Sequence, residues 1–259
     1  MGKTHQHSSS SGIIYHDSAF ELCHAIHYTK NIKKYYNYNA VNELMQNVNA
    51  IFYALHFEPE ATIMNRTIYS NQIYNLRMLS AHLPDGWVIY VKEHPDQFNL
   101  FRLNFIDNAK YIHKYRSESY YSLIQSIPRV VLLNSNMSSS DILEMSEVKA
   151  VATINGTISL EAMKNGKKLI LFDGKSMPYS ENNDICYINS PESLIGLTSY
   201  LESESVPDYK SELQLLARKL IYAKIVWSDD PQENGVFNLD ISKNLIQTLI
   251  NNAESYASE

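Results

Sequence analysis

Short apolar runs alternate with longer segments of helical periodicity along most of this chain. Five mostly apolar runs, each bounded by turn-forming or charged residues, predict buried strands. They lie at 51–55, 87–91, 129–133, 148–154 and 168–172. Elsewhere apolar residues recur three or four positions apart, which predicts helices. These lie at 67–82, 117–126, 158–165, 191–203, 208–226 and 240–253, and a further helix opens at Ser138.

Strands that alternate with helices indicate parallel βαβ units, whose sheet is covered by helices on both faces. Right-handed crossovers then predict an α/β fold with a Rossmann-like, doubly wound parallel sheet over residues 51–259. The segment 13–50 predicts one or two amphipathic helices, as a helical lead-in or the remnant of an N-terminal lobe. Residues 1–12, rich in Ser and His, are expected to be a tag-like leader outside the fold.

Composition and charge narrow the class of protein. The formal net charge of −6 argues against a general nucleic-acid binder, which is normally basic. The two cysteines, Cys23 and Cys186, cannot form a disulfide framework, so we expect a cytoplasmic protein. No apolar stretch approaches the roughly 20 residues that span a bilayer, so no transmembrane segment is expected. Peripheral association with the inner membrane stays open.

Polar clusters follow several strands, where ligands bind in a doubly wound sheet. The first is Asn155-Gly156-Thr157, which ends one strand and opens a helix. The free N–H groups of a helix start favour phosphate, Gly156 permits close approach, and Thr157 adds a hydroxyl. Ser159 and Glu161 lie in the first turns, where the Glu161 carboxylate can accept hydrogen bonds from ribose. The structural alternative makes Thr157 a helix cap and Glu161 a charge that favours the helix dipole.

The second cluster, residues 92–95, ends the strand 87–91. Pro95 favours an extended backbone at His94, and strand alternation puts His94 on the same side as Lys92. Histidine can donate to a phosphate or protonate a departing one. Lys92, His94 and Pro95 are therefore candidates for a phosphate-binding site. The alternative is a loop histidine that only stabilises a turn.

The third cluster, Glu58-Pro59-Glu60, follows the first strand. Two carboxylates at this edge suit a general base, sugar-hydroxyl binding or a nucleophile at an anomeric carbon. The candidate catalytic residues are therefore Glu60, Glu58 and His94. His56, two residues before Glu58, would add proton-transfer capacity. The alternative is a solvated acidic loop.

The sequence lacks the motifs of several common metal sites and enzyme classes. His24 and His27 are three residues apart on a predicted helix, but no HExxH or CxxC pattern accompanies them, so no metal site is expected. The P-loop, GxGxxG and GxSxG motifs are also missing. We expect no required cofactor beyond a substrate nucleotide.

The order and spacing of these motifs resemble the capsule polysaccharide biosynthesis family, which includes transferases of 3-deoxy-manno-octulosonate (Kdo). The resemblance covers roughly residues 51–200. Its motifs are Ala-Leu-His-Phe-Glu-Pro-Glu-Ala-Thr at 54–62, Leu-Pro-Asp-Gly-Trp at 83–87, Tyr-Val-Lys-Glu-His-Pro at 90–95, Ile-Asn-Gly-Thr-Ile-Ser-Leu-Glu-Ala at 154–162 and Asn-Gly-Lys-Lys-Leu-Ile-Leu-Phe at 165–172.

The resemblance implies the donor-binding, C-terminal lobe of a GT-B glycosyltransferase that uses a nucleotide-sugar, with CMP-sugar favoured over UDP-sugar. The acceptor would be a saccharide or a lipid-linked saccharide. By this likeness His94 would contact the donor phosphate or cytidine, and Glu161 would bind the ribose. Gly156, Thr157 and Ser159 would hold the phosphate. Glu60 is the stronger active-site candidate of the two glutamates.

The chain departs from the family pattern at several positions. Glu58 stands where glutamine is usual, Leu160 where an aromatic residue is frequent, and Lys168 where proline is usual. A GT-B enzyme also needs two lobes and only one is predicted, so the chain is either a minimal member or lacks its N-terminal lobe. Two alternatives to a transferase stay open. They are a nucleotide-sugar epimerase-like enzyme and a non-catalytic nucleotide-binding module of a capsule assembly complex.

Overall fold

A computed structural model describes residues 9–59, 68–99, 112–172, 184–210 and 212–214. Within them the strands are β1 (Asn49–Ala54), β2 (Trp87–Lys92), β3 (Val130–Leu133), β4 (Val148–Thr153), β5 (Lys168–Phe172) and β6 (Ile185–Ile188). The α-helices are α1 (Ser9–Tyr38), α2 (Gln72–Ala81), α3 (Glu118–Gln125), α4 (Ser139–Glu144), α5 (Ile158–Lys164) and α6 (Leu197–Glu202). Short 3-10 helices span Ile68–Ser70 and Pro191–Gly196, and residues 112–115 are helical.

The strands form one parallel sheet in the order β3-β2-β1-β4-β5-β6. The chain proceeds outward from β1 to β3, then returns past β1 to β4 and continues to the other edge. This confirms the predicted doubly wound, Rossmann-like parallel sheet. The direction of winding reverses between β1 and β4, and crevices at such reversals are where doubly wound sheets bind ligands.

Both faces of the sheet are buried, because successive strand side chains point to opposite sides. Ile51 and Tyr53 of β1 face a core covered by α1, α2, α3 and α6. Ala50 and Phe52 face a second core covered by α4, α5 and Tyr209. All four strand residues are fully buried. The continuous apolar runs of the sequence therefore reflect burial on two sides.

The N-terminal segment forms a single helix, α1, which begins at Ser9 within the expected leader. Ile32 and Tyr36 of α1 lie in the first core. The Tyr36 hydroxyl donates to the carbonyl of Leu133 (2.6 Å) and accepts from the N–H of Glu93 (3.0 Å). The C-terminal part of α1 thus packs on the sheet and supports the ends of β2 and β3.

The five predicted strands are confirmed, with ends that shift by one or two residues. The strand β6 was not predicted. It is an Ile-Cys-Tyr-Ile run whose two central residues are only half-buried. The predicted helix 191–203 begins as a 3-10 helix before α6. The predicted helix 240–253 lies outside the described residues, as does most of 208–226.

Lys168, which stands where the resembled family has proline, begins β5. Its ammonium donates to the carbonyls of Tyr200 (2.7 Å) and Leu201 (3.0 Å) and to the Ser203 hydroxyl (2.9 Å) at the end of α6. A cation at a helix C-terminus satisfies carbonyls that lack a partner within the helix. This departure therefore has a structural reason away from the carboxyl edge of the sheet.

Candidate functional site

A cleft of about 380 Å³ opens at the carboxyl ends of β1, β2 and β4. Its walls are residues 54–56, 92–96 and 155–158, with Phe52, Ser139, Thr153 and Glu161 completing the lining. The cleft lies at the reversal between β1 and β4, as the strand-end rule predicts. Two of the polar clusters singled out in the sequence, 92–95 and 155–157, meet here together with His56, although they are far apart along the chain.

Lys92, the last residue of β2, brings a buried cation to the cleft. It is only 3% exposed, and its ammonium donates to the hydroxyl of Ser139 at a long 3.4 Å. Burial lowers the pKa of Lys92, while the charges of Glu93 and Glu161 raise it. An ammonium has three donors, and one long hydrogen bond leaves it poorly satisfied. This environment favours an anionic ligand.

His94 lines the same cleft, on the side of β2 that strand alternation predicts. Its Nδ1 accepts the N–H of Asp96 (3.1 Å), so the neutral ring carries its proton on Nε2. The ring packs edge-on against Phe57, with centroids 6.0 Å apart. Pro95 is exposed at the rim of the cleft. The turn at His94 therefore fixes one tautomer of the imidazole.

The turn 155–157 supplies the opposite wall. Thr157 makes no side-chain cap, so the capping alternative does not describe it, and its exposed side chain lines the cleft with Asn155. A Cβ at position 156 would lie 3.0 Å from Thr153 Oγ1 and 3.4 Å from His56 Cε1, so a residue larger than Gly156 would force these neighbours to shift. The helix α5 has only seven residues, so its dipole is short. The formal positive charge in the cleft lining is that of Lys92.

The two remaining residues of this motif separate in the structure. Ser159 is fully buried and donates to the carbonyl of Gly156 (2.7 Å), so it holds the turn and does not line the cleft. Glu161 does line the cleft. Burial raises the pKa of Glu161, and the charges of Lys164 and Lys92 oppose this rise. Of the two, only Glu161 is placed to contact a ligand.

Of the acidic loop Glu58-Pro59-Glu60, the structure describes Glu58 and Pro59. The carboxylate of Glu58 pairs with the buried guanidinium of Arg116 and lies outside the cleft lining. The N–H and carbonyl of Glu58 bind the side-chain amide of Gln97, each at 2.9 Å. These contacts give Glu58 a role in holding the loop, and its catalytic role stays a prediction. Glu60 lies outside the described residues.

Arg116 holds the site from beneath. It is fully buried, and its Nε donates to Glu93 Oε2 (2.6 Å) while Nη2 donates to the carbonyl of His56 (2.8 Å). The Tyr121 hydroxyl also donates to Glu93 Oε2 (2.6 Å). Arg116 thus joins the loops that follow β1 and β2. The contact between Arg116 and Glu93 was not predicted, because the two residues lie 23 positions apart and share no sequence motif.

His56 is held at nearly all its polar atoms. Its N–H donates to Gln72 Oε1 (2.7 Å), and its carbonyl accepts from Gln72 Nε2 (3.3 Å). The ring Nε2 lies 3.2 Å from the N–H of Ile154 and 3.0 Å from Thr153 Oγ1. The ring lines the cleft between the ends of β1 and β4. From the sequence, His56 was expected to add proton-transfer capacity beside Glu58, and its contacts with Thr153 and Ile154 were not predicted.

Two kinds of feature are missing from the described part of the chain. No group of three or more His, Cys, Asp or Glu side chains there is arranged to hold a metal ion. No helix there is long and apolar enough to cross a membrane.

The fold and the cleft define a Rossmann-like α/β domain with a polar crevice at the reversal of its sheet. No family model and no curated protein sequence matches the chain. Among solved structures it is similar to the beta Kdo 2,4 transferase KpsC of Thermosulfurimonas dismutans, with 15% identity and a TM-score of 0.34 over 59% of this chain. The chain covers 44% of that transferase, less than half its length. At this TM-score the likeness is too weak to assign an activity.

Proposed function

We propose that this chain is the nucleotide-sugar-binding lobe of a glycosyltransferase, and that its cleft binds the donor's phosphate against Lys92. The observation that carries the proposal is the Lys92 ammonium, buried at the carboxyl end of β2 with one long hydrogen bond. A phosphate oxygen would give this ammonium a charged partner where it now has little solvation. Hydrogen bonds between charged groups are about twice as strong as neutral ones.

The surrounding groups suit a nucleotide. His94 and Thr157 line the cleft on opposite walls and carry donors for phosphate oxygens, and Asn155 adds an amide. Glu161 lies on α5 beside them, where its carboxylate would accept hydrogen bonds from the ribose hydroxyls. The cavity of about 380 Å³ lies in the range of small-molecule sites. In this arrangement the nucleotide would cross from the end of β2 to the start of α5.

In the proposed reaction these fixed donors stabilise the charge that develops on the leaving nucleotide phosphate. The carboxylate that acts on the acceptor or the anomeric carbon would be Glu60, since Glu58 is engaged by Arg116. The donor we propose is a CMP-sugar such as CMP-Kdo or a sialic-acid-like sugar, with a UDP-sugar as the alternative. The product would belong to a bacterial capsule or surface polysaccharide.

A non-catalytic nucleotide-binding module is the second candidate. The ion pair between Glu58 and Arg116 supports it, because that pair occupies one of the two carboxylates of the acidic loop. Both candidates share the same nucleotide site. They differ in whether donor sugar is transferred to an acceptor saccharide.

Calorimetric titration of the chain with CMP, CDP, UDP and GDP tests the proposal. We expect saturable binding with CMP preferred. A preference for UDP would redirect the proposal to hexosyl transfer. Absence of binding by every nucleotide would overturn it. Transfer of sugar from the preferred donor, assayed with a saccharide acceptor, then separates the transferase from the binding module.

A further inference from the structure

The ring of His56 offers one nitrogen to the cleft. Its Nε2 contacts Ile154 and Thr153, whereas Nδ1 has no hydrogen-bond partner among the described residues. Nδ1 is also not among the enclosed, unpaired side-chain atoms of the described residues, so it is accessible from outside the protein. Because the His56 ring lines the cleft, the atom left for a ligand is Nδ1.

The protein fixes which nitrogen carries the proton. A backbone N–H can only donate, so the N–H of Ile154 requires Nε2 to be an acceptor. Thr153 Oγ1 accepts the N–H of Gly156 (3.2 Å), and its own proton is free to point to Nε2. Nδ1 of the neutral ring is therefore protonated. A second proton on Nε2 would face the Ile154 N–H.

We propose that His56 is a further ligand-binding residue, whose Nδ1–H donates a hydrogen bond to a phosphoryl oxygen of the nucleotide in the cleft. This inference rests on the proposed function and adds a residue to the same site. The His56 donor is neutral. It would therefore add a hydrogen bond to the phosphate without adding a second positive charge beside Lys92.

Burial supports the neutral state. It lowers the pKa of His56 to about 4, with further lowering by the charges of His94 and Arg116. At neutral pH the imidazole is thus a donor of fixed direction and no charge. The clamp on its backbone by Gln72 and Arg116 limits movement of the ring, and a positioned donor binds without loss of side-chain entropy.

Two substitutions separate this role from a purely structural one. In His56→Gln the side-chain amide reaches the position of Nε2, so it can accept from Ile154 but leaves the cleft without the donor. In His56→Asn the amide lies nearer the position of Nδ1, so it can donate into the cleft but loses the contact with Ile154. A purely structural role predicts that His56→Gln binds CMP and phosphate as the wild type does.

The test is calorimetric titration of CMP and of inorganic phosphate into the wild type and His56→Gln, with thermal melting as the control for folding. We expect His56→Gln to melt close to the wild type and to bind CMP about tenfold more weakly, which is the scale of one neutral hydrogen bond. Equal affinity of the two proteins would overturn the inference and leave the proposed function standing. If the wild type binds neither CMP nor phosphate, the proposed function fails with it.

A second measurement does not depend on folding of a variant. A long-range proton–nitrogen NMR spectrum of the free wild type should show the His56 ring protonated on Nδ1 at neutral pH, and its Nδ1 signal should shift when CMP is added. A ring protonated on Nε2, or an Nδ1 signal that ignores saturating CMP, would overturn the inference. His56→Asn is then expected to retain more CMP affinity than His56→Gln. The reverse order would contradict the assignment of Nδ1.

Discussion

The Nε2 atom of His56 lies 3.0 Å from Oγ1 of Thr153, 97 residues later in the chain. This contact joins the carboxyl ends of β1 and β4, the two strands between which the winding of the sheet reverses. The same Thr153 oxygen accepts the N–H of Gly156 (3.2 Å). The Thr153 hydroxyl therefore holds both walls of the cleft. Its substitution tests how much this hydroxyl contributes to the stability of the protein.

Thr153→Val keeps the shape of the side chain and removes its hydroxyl. We expect the free energy of unfolding to fall by about 1–3 kcal/mol, because the buried His56 Nε2 and the Gly156 N–H each lose a partner. Thr153→Ser keeps the hydroxyl and serves as the control. Chemical denaturation measures both variants. A valine variant as stable as the serine variant would show that the hydroxyl does not hold the two walls together.

The stability of the protein should depend on pH through His56. Its pKa falls from the ordinary 6.5 to about 4 in the folded protein, chiefly because the ring is buried. Between these values the unfolded chain binds a proton that the folded chain does not, so stability rises with pH. The contribution of His56 is thus complete above about pH 6.5 and is lost as the pH falls towards 4, by at most about 3 kcal/mol.

Urea denaturation of the wild type and His56→Gln between about pH 4 and pH 8 measures this contribution. On acidification the wild type should lose more stability than the glutamine variant, which has no titrating group at this position. Parallel stability curves for the two proteins would contradict a depressed pKa at His56.

Arg116 is predicted to be a structural requirement of the site. Arg116→Met leaves Glu93 buried without its cation, and we expect the free energy of unfolding to fall by about 3–5 kcal/mol. Arg77→Met, at an exposed position of α2, is the control and should change it by less than about 0.5 kcal/mol. Denaturation profiles compare the two. Equal stabilities would mean that the buried ion pairs of Arg116 contribute nothing.

Glu161 is predicted to read the ribose of the nucleotide. The wild type should bind CMP more tightly than 2′-deoxy-CMP, by roughly tenfold for a hydrogen bond to a charged acceptor. Glu161→Gln should bind the two ligands with similar affinity. Titration of both ligands into both proteins gives the coupling between the carboxylate and the hydroxyl. The same preference in both proteins would exclude contact between Glu161 and the 2′-hydroxyl.

The sequence predicted the fold because burial on both faces leaves a direct record in it. Strands such as 87–91 are apolar at every position, which is typical of a parallel sheet between two helical layers. The strand β6 left a weaker record, since Cys186 and Tyr187 are half-buried at the edge of the sheet. The apolar pattern of a strand is ambiguous at the edge of a sheet, where the strand has only one neighbouring strand.

Part of the cleft was predictable for a topological reason. Lys92, His94 and Thr157 follow strand ends, and parallel strands bring their carboxyl ends to one edge. The supports of the cleft were not predictable, because Arg116 meets Glu58 and Glu93 across 58 and 23 residues with no shared motif. The contacts of Ser159 and Glu58 were not predictable either, because the Ser159 hydroxyl donates to its own turn and the Glu58 carboxylate pairs with Arg116.

The affinity of CMP for Lys92→Met, measured by calorimetry beside the wild type, tests the central claim most directly. Lys149→Met is the matched control, since Lys149 is an exposed lysine of β4 outside the cleft lining. We predict that Lys92→Met binds CMP at least about tenfold more weakly, the scale of a charged hydrogen bond, and melts no lower than the wild type. Lys149→Met should bind as the wild type does. Unchanged CMP affinity in Lys92→Met would contradict a phosphate site at this lysine.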